Sequence, residues 1–135
     1  MQRITLASRA AGWTAAERWT SPVLKPYFND LVVLGDHAYG FDGNSLACLA
    51  LADGERKWKG GRYGHGQLLL IGGLLLVQTE EGEAILIEPS PQGPRELTRA
   101  ALLDGKTWNP PALVGSRLLV RNDREAALYE LPLQE

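Results

Sequence analysis

Short apolar runs, separated by turn residues, recur along most of the chain. The run 31–34 ends at a glycine, and two further runs that end at Ile71 and Val114 are each followed by a glycine as well. Aligned on these glycines, the stretches 34–49, 71–86 and 114–129 match without a gap, at offsets of 37 and 43 residues. A repeat of about 40 residues indicates a structural unit used several times, whose copies stack to share a core.

Each repeat has the pattern of several short strands. In the first repeat, apolar runs alternate with turn residues, and Asp53-Gly54 predicts a hairpin that leads to a fourth strand. The predicted strands are 31–34, 38–41, 46–51 and 56–58 in the first repeat, 67–71, 74–79, 83–88 and 95–99 in the second, and 112–114, 118–122 and 126–131 in the third. Four antiparallel strands in about 40 residues make one blade of a β-propeller, so the predicted fold is all-β and built of propeller blades.

The two ends of the repeat region complement each other. The third repeat stops before its outermost strand, whereas the start of the chain has an outer strand at 16–20 with no inner strands predicted beside it. Trp19 in that strand lies 39 residues before Trp58, in the outer strand of the first full repeat. We therefore predict three blades over residues 15–135, approximately 24–60, 61–101 and 106–131, with 16–20 as the remaining outer strand. Residues 1–14 are predicted to form an N-terminal arm or a partial strand, with a candidate strand at 4–8.

Three blades are too few for a closed ring, because propellers have about four to eight blades. Two arrangements remain open. Either the chain is the C-terminal piece of a longer propeller whose missing blades complete the ring, or copies associate head to tail, most simply as a six-bladed dimer. In the second arrangement the Trp19 strand of one copy completes the last blade of its neighbour. Both arrangements make the partner a protein: further blades or another copy.

Composition narrows the classes of function. The chain has 14 basic and 16 acidic residues mixed along its length, and the absence of a basic stripe excludes a nucleic-acid surface. The longest apolar run, 68–77, is interrupted by two glycines and is too short to span a bilayer. The first residues lack the apolar core of a signal peptide, so no export signal is expected in the chain as given. Cys48 is the only cysteine and aligns with core positions, which predicts a buried thiol.

The segment before each innermost strand is the candidate binding site, because such segments converge around the central channel of a propeller. Phe28-Asn29, His65-Gly66 and Trp108-Asn109 occupy matching repeat positions. Aromatic rings, an imidazole and carboxamides at one end of a channel suit a planar or sugar-like ligand. We therefore predict that Asn29, His65, Trp108 and Asn109 bind a ligand. The alternative interpretation is that these residues seal the joints between blades, with the asparagines bonding turn backbone.

Catalytic and metal chemistry have little support in the sequence. His65 has the titration range of a general acid or base, but no nucleophile pattern or partner carboxylate accompanies it. Two histidines 28 residues apart, without cysteine partners, give no zinc pattern. Asp42-Gly43-Asn44 has the pattern of a plain turn rather than of a calcium loop. In the basic segment 57–62, Trp58 is expected to pack one blade on the next, as Trp19 does, with the lysines facing water.

A family resemblance adds to this interpretation. The segment 53–58 has the form Asp-Gly-Glu-x-x-Trp, and with strands such as 39–43 and 46–49 it resembles the repeats of bacterial pyrroloquinoline-quinone (PQQ)-like propeller proteins. The segments 24–29, 58–67 and 105–110 are similar to the last blades of such proteins, so the resemblance covers the chain from about residue 17 to its end. It implies a propeller fold and a periplasmic or otherwise extracytoplasmic setting, because these proteins are usually exported.

The same resemblance is poorly specific for function. The superfamily contains PQQ-dependent dehydrogenases, an outer-membrane assembly lipoprotein and many proteins of unknown role. The dehydrogenases typically need calcium ligands, a catalytic aspartate and often adjacent cysteines, a set that this sequence does not supply. PQQ is thus implied by the resemblance alone, and no cofactor is expected in this chain. We expect a non-catalytic scaffold for binding or assembly; the alternative is a fragment of a PQQ-dependent dehydrogenase-like quinoprotein.

Overall fold

The structure, a computed structural model, describes residues 1–132, which form antiparallel β-sheets without a helix. Within these residues thirteen strands make four sheets of two, four, four and three strands. The first sheet contains β1 (Gln2–Arg9) and β2 (Gly12–Thr20), and the second contains β3 (Leu31–Leu34), β4 (His37–Asp42), β5 (Ser45–Ala50) and β6 (Arg56–Gly60). The third contains β7 (Gln67–Ile71), β8 (Leu74–Gln78), β9 (Glu83–Glu88) and β10 (Arg95–Ala101), and the fourth contains β11 (Ala112–Val114), β12 (Arg117–Arg121) and β13 (Ala126–Glu130).

The all-β prediction is confirmed, and the predicted strands from β3 to β13 agree with the observed bounds to within two residues. In the second, third and fourth sheets each strand pairs with the next along the chain. The aligned glycines Gly35, Gly72 and Gly115 lie in the turn between the first two strands of these sheets, with φ of 56°, 54° and 59°. A positive φ is strained for residues with a side chain, which explains why glycine recurs at this position. Among the described residues, no helix has the length and apolar character needed to cross a bilayer.

The sheets stack in chain order, and the interior ones are apolar on both faces. In the third sheet, Leu75 and Val77 pack in a cluster with Phe41 of the second sheet. Leu76 lies on the opposite face and packs with Leu118 of the fourth sheet. Burial on both faces explains the near-continuous apolar runs in β7 to β9, because a half-exposed strand would alternate. Cys48 is fully buried in the first of these clusters, as predicted.

Two tryptophans close successive joints between sheets in the same way. The indole Nε1–H of Trp19 donates to the carbonyl oxygen of Leu51 at 2.9 Å, and that of Trp58 donates to the carbonyl oxygen of Ser90 at 2.6 Å. Donors and acceptors are both displaced by 39 residues, so the two bonds are equivalent in the repeat. The prediction that Trp58 packs one sheet on the next, matching Trp19, is confirmed.

The N-terminal region differs from its prediction. The strand expected at 16–20 is longer, Gly12–Thr20, and pairs along its length with β1, from Gln2↔Thr20 to Arg9↔Gly12. The candidate strand at 4–8 thus lies within β1 and the strand at 16–20 within β2, whereas their pairing with each other was not predicted. Strand β2 pairs with β1 along one edge, and Trp19 bonds within its own chain.

Candidate functional site

The segments that precede the first strands of the second, third and fourth sheets meet at one place. The ring centroids of Tyr27 and His65 lie 4.3 Å apart, and those of Phe28 and Trp108 lie 5.7 Å apart. Phe28 and His65 are separated by 6.3 Å in an edge-on arrangement. Four rings from three repeats thus form one group, which we call the aromatic cluster: Tyr27, Phe28, His65 and Trp108.

The aromatic cluster faces solvent although it contains large rings. Tyr27, Phe28 and Trp108 are exposed, whereas His65 is half-buried among them. Neighbouring rings are tilted by 57° to 62°, so they do not form a flat stack. The ammonium of Lys106 lies 4.5 Å from the ring centroid of Trp108, a favourable cation–π distance. The result is an exposed aromatic surface with a cation at its edge.

Glu80 holds two of the converging segments together. Its Oε2 accepts a hydrogen bond from the main-chain N–H of His65 at 3.0 Å, and its Oε1 accepts one from the indole Nε1–H of Trp108 at 2.8 Å. These two bonds, the His65 bond being the larger contribution, lower the pKa of the Glu80 carboxyl despite its partial desolvation. The charged carboxylate therefore fixes the indole of Trp108 and the main chain of His65 relative to each other. Sequence reasoning did not identify Glu80, since Glu80-Glu81-Gly82 has only the pattern of a turn.

The side chain of Asn29 bonds to main-chain groups. This side chain is buried, its Nδ2–H donates to the carbonyl oxygen of Gly66, and its Oδ1 accepts from the main-chain N–H of Tyr27 at 3.2 Å. Gly66 is the residue that matches Asn29 in the next repeat, so this bond joins equivalent positions of two sheets. This is the kind of main-chain bond that the alternative interpretation expects of Asn29.

Asn109 contacts the third sheet through its main-chain carbonyl group. Its carbonyl oxygen accepts from Nε2 of Gln78 at 2.7 Å, and the carbonyl oxygen of Trp108 accepts from Nε2 of Gln67 at 2.7 Å. Two glutamine side chains of the third sheet thereby anchor the segment that leads into the fourth sheet. Of the four predicted binding residues, His65 and Trp108 present their rings to the aromatic cluster, whereas Asn29 and Asn109 support it.

The surroundings of His65 do not provide an acid–base pair. Glu80 contacts the main chain of His65 rather than its imidazole, and Nδ1 of that ring is buried without a hydrogen-bond partner among the described residues. In residues 1–132 no group of three or more His, Cys, Asp or Glu side chains is placed to hold a metal ion.

Comparisons with protein families and with curated proteins do not assign the chain to a family. No protein-family model matches the chain, and no curated protein is found to be similar to it. The resemblance to PQQ-like repeats, and the periplasmic setting that it implies, therefore stay predictions.

The role of Glu80 is testable through pH. Because its folded-state pKa is below the unfolded value of about 4.5, its contribution to stability is fully present above that pH and is lost as the pH falls through the folded pKa. We expect Glu80→Gln to be less stable than the wild type at pH 7 by about 1 kcal/mol, since it weakens a partly exposed charged hydrogen-bond pair. Thermal unfolding by circular dichroism between pH 7 and pH 3 should show this difference shrinking on acidification.

The stability of Glu80→Gln must be compared with that of the wild type at each pH, because the pKa of Asp42 is lowered as well. Its burial alone would raise the pKa, but the hydrogen bond and charge of Lys59 outweigh that effect and lower it. Asp42 is present in both the wild type and Glu80→Gln, so both lose stability through it in acid. Its contribution therefore cancels in the difference between their stabilities. A difference that stays constant from pH 7 to pH 3 would show that the charge of Glu80 does not stabilise the fold.

Proposed function

We propose that the chain is a segment of a β-propeller, with its second, third and fourth sheets as consecutive blades, and that it acts as a non-catalytic binding scaffold. Support for the propeller class comes from sheets that each follow the order of the chain, and from the Trp19 and Trp58 bonds that repeat from one joint to the next. The proposed binding surface is the aromatic cluster.

The observation that carries this proposal is the convergence of three equivalent segments. Tyr27 and Phe28, His65, and Trp108 precede the first strands of three successive sheets, yet their rings lie within contact distance of one another. In a repeat protein, equivalent loops gather on one side and form the usual binding surface. A ligand on the aromatic cluster would thus contact all three blades at once.

The chemistry of the surface favours a sugar ring. Exposed aromatic faces bind apolar faces of a ligand, and the mutual tilt of the rings suits a puckered ring better than a flat heterocycle. The ammonium of Lys106 lies at the rim, where it can donate to hydroxyl groups. Both oxygens of Glu80 already accept N–H bonds, so this carboxylate orients the surface instead of acting as a base. We therefore propose carbohydrate binding without catalysis.

The test is a titration with two classes of probe. Uncharged cello- and chito-oligosaccharides form one class and riboflavin the other, with binding followed by the indole N–H resonances of the four tryptophans. We expect an oligosaccharide to shift the Trp108 resonance, and Trp108→Ala to weaken its binding by at least about tenfold, a loss of about 1.4 kcal/mol. Leu97→Ala is the matched control, because Leu97 on β10 has the same exposed fraction as Trp108, 42%, and lies outside the aromatic cluster. Unchanged affinity in Trp108→Ala, or no binding of either class, would refute the proposal.

A further inference from the structure

The first and last sheets of the stack each leave an apolar face uncovered. On the first sheet, Ile4, Leu6 and Trp13 are exposed and share one face, since Trp13 pairs with Ser8, two positions along β1 from Leu6. On the fourth sheet, Val114, Leu119 and Leu128 are exposed and also share one face, as the pairs Leu119↔Leu128 and Ala112↔Leu119 show. We call these the head face and the tail face.

The head face points away from the rest of the molecule. Trp19 and Arg3 are paired across the hairpin, and both side chains donate to the carbonyl oxygen of Leu51 in the second sheet. Side chains alternate between the two faces of a strand, so Ile4 and Leu6 lie on the side opposite to the second sheet. The hairpin thus uses one face inside the chain and presents the other to solvent.

The repeat register shows what covers a tail face elsewhere in the molecule. Leu119 occupies the repeat position of Tyr39 and Leu76, which are 2% and 6% exposed because the next sheet packs on them, whereas Leu119 is 44% exposed. At each earlier repeat the partner of this face is another sheet of the same stack. The tail face therefore has the composition of a joint between sheets, and no sheet formed by residues 1–132 covers it.

We propose that the tail face of one copy of this chain packs on the head face of a second copy. The tail face carries Arg117, Arg121 and Glu130, and Glu130 lies 3.6 Å from Arg117 in an ion pair. The charge of Arg121 is then the one that complements Glu17 on the head face. A contact between two different faces is heterologous, so it closes into a ring or extends into a filament. This joint differs from the predicted one, because it packs two sheet faces together, whereas the predicted joint adds the strand at 16–20 to the edge of a neighbour's last sheet. It does not depend on the aromatic cluster or on its ligand.

The experiment measures mass by light scattering over a range of protein concentrations. We expect the wild type to form species of at least twice the chain mass of 14.8 kDa. Trp13→Asp and Leu128→Asp each place a carboxylate in one face, and each should raise the apparent dissociation constant by at least about tenfold. Leu97→Asp is the control: it changes an exposed leucine on β10, outside both faces, and should associate like the wild type.

Mixing the two variants tests the polarity of the joint. Trp13→Asp keeps an intact tail face and Leu128→Asp keeps an intact head face, so an equimolar mixture should form a one-to-one dimer and nothing larger. Because both positions are exposed, circular dichroism should show that each variant retains the fold. A monomeric wild type, association that survives both substitutions, or a mixture that stays monomeric would each overturn the proposed joint.

Discussion

Phe41→Ala is expected to lower the free energy of unfolding by about 3–5 kcal/mol. Phe41 is fully buried on β4, in the apolar cluster that joins the second sheet to the third, with Leu75 and Ile85 across the joint. Truncation removes most of a large side chain from a packed interior and leaves a cavity that two rigid sheets cannot close. Since domains are stable by only about 5–15 kcal/mol, this single change should remove a large share of the total.

Urea unfolding followed by tryptophan fluorescence would measure this loss. The matched control is Phe28→Ala, which truncates the only other phenylalanine, an exposed ring that should cost about 1 kcal/mol in lost aromatic contacts. Phe41→Leu, expected to cost about 1–2 kcal/mol, keeps the experiment informative where the alanine variant does not fold. Equal losses for Phe28→Ala and Phe41→Ala would contradict the placement of the main core at this joint.

Most strands could be predicted because local and tertiary requirements agree there. The turns at Gly35, Gly72 and Gly115 need a positive φ, and the apolar runs beside them are buried on both faces of their sheets. Glycines that end apolar runs are visible in a single sequence. The N-terminal hairpin lacks the second of these signals: Gly12 follows its Ala10-Ala11 turn with a positive φ, but most of its side chains are exposed, so its pairing was not predicted.

The candidate site could be predicted in part for a similar reason. Repeat symmetry places equivalent positions near each other, which is why His65 and Trp108 were correctly expected to converge. The symmetry says nothing about side-chain direction, and Asn29 turns into the joint instead of outward. Repeat symmetry could not identify Glu80, because its contacts depend on the path of the loop after β8.

Gly66→Ala is the second large expected effect, and it connects the fold to the site. A Cβ at position 66 would lie 2.3 Å from the carbonyl oxygen of Gln78 and 3.0 Å from the ring of Phe41. The carbonyl belongs to β8 and cannot move alone, so the segment that carries His65 must shift away from the third sheet. We expect a loss of about 2–3 kcal/mol in the free energy of unfolding, at the upper end for overpacking.

The same shift should disturb the aromatic cluster, which gives the variant a second readout. Gly66 accepts the hydrogen bond of Asn29, and a displaced segment breaks that bond and moves His65 away from Tyr27. The ring resonances of His65 should therefore change together with the urea midpoint. Gly60→Ala is the control: position 60 on β6 has open space around a Cβ and no positive φ, so alanine there should be neutral or stabilise by about 0.4–1 kcal/mol. If Gly66→Ala behaved like Gly60→Ala, the close approach of the two backbone segments, and with it the support of the aromatic cluster, would be disproved.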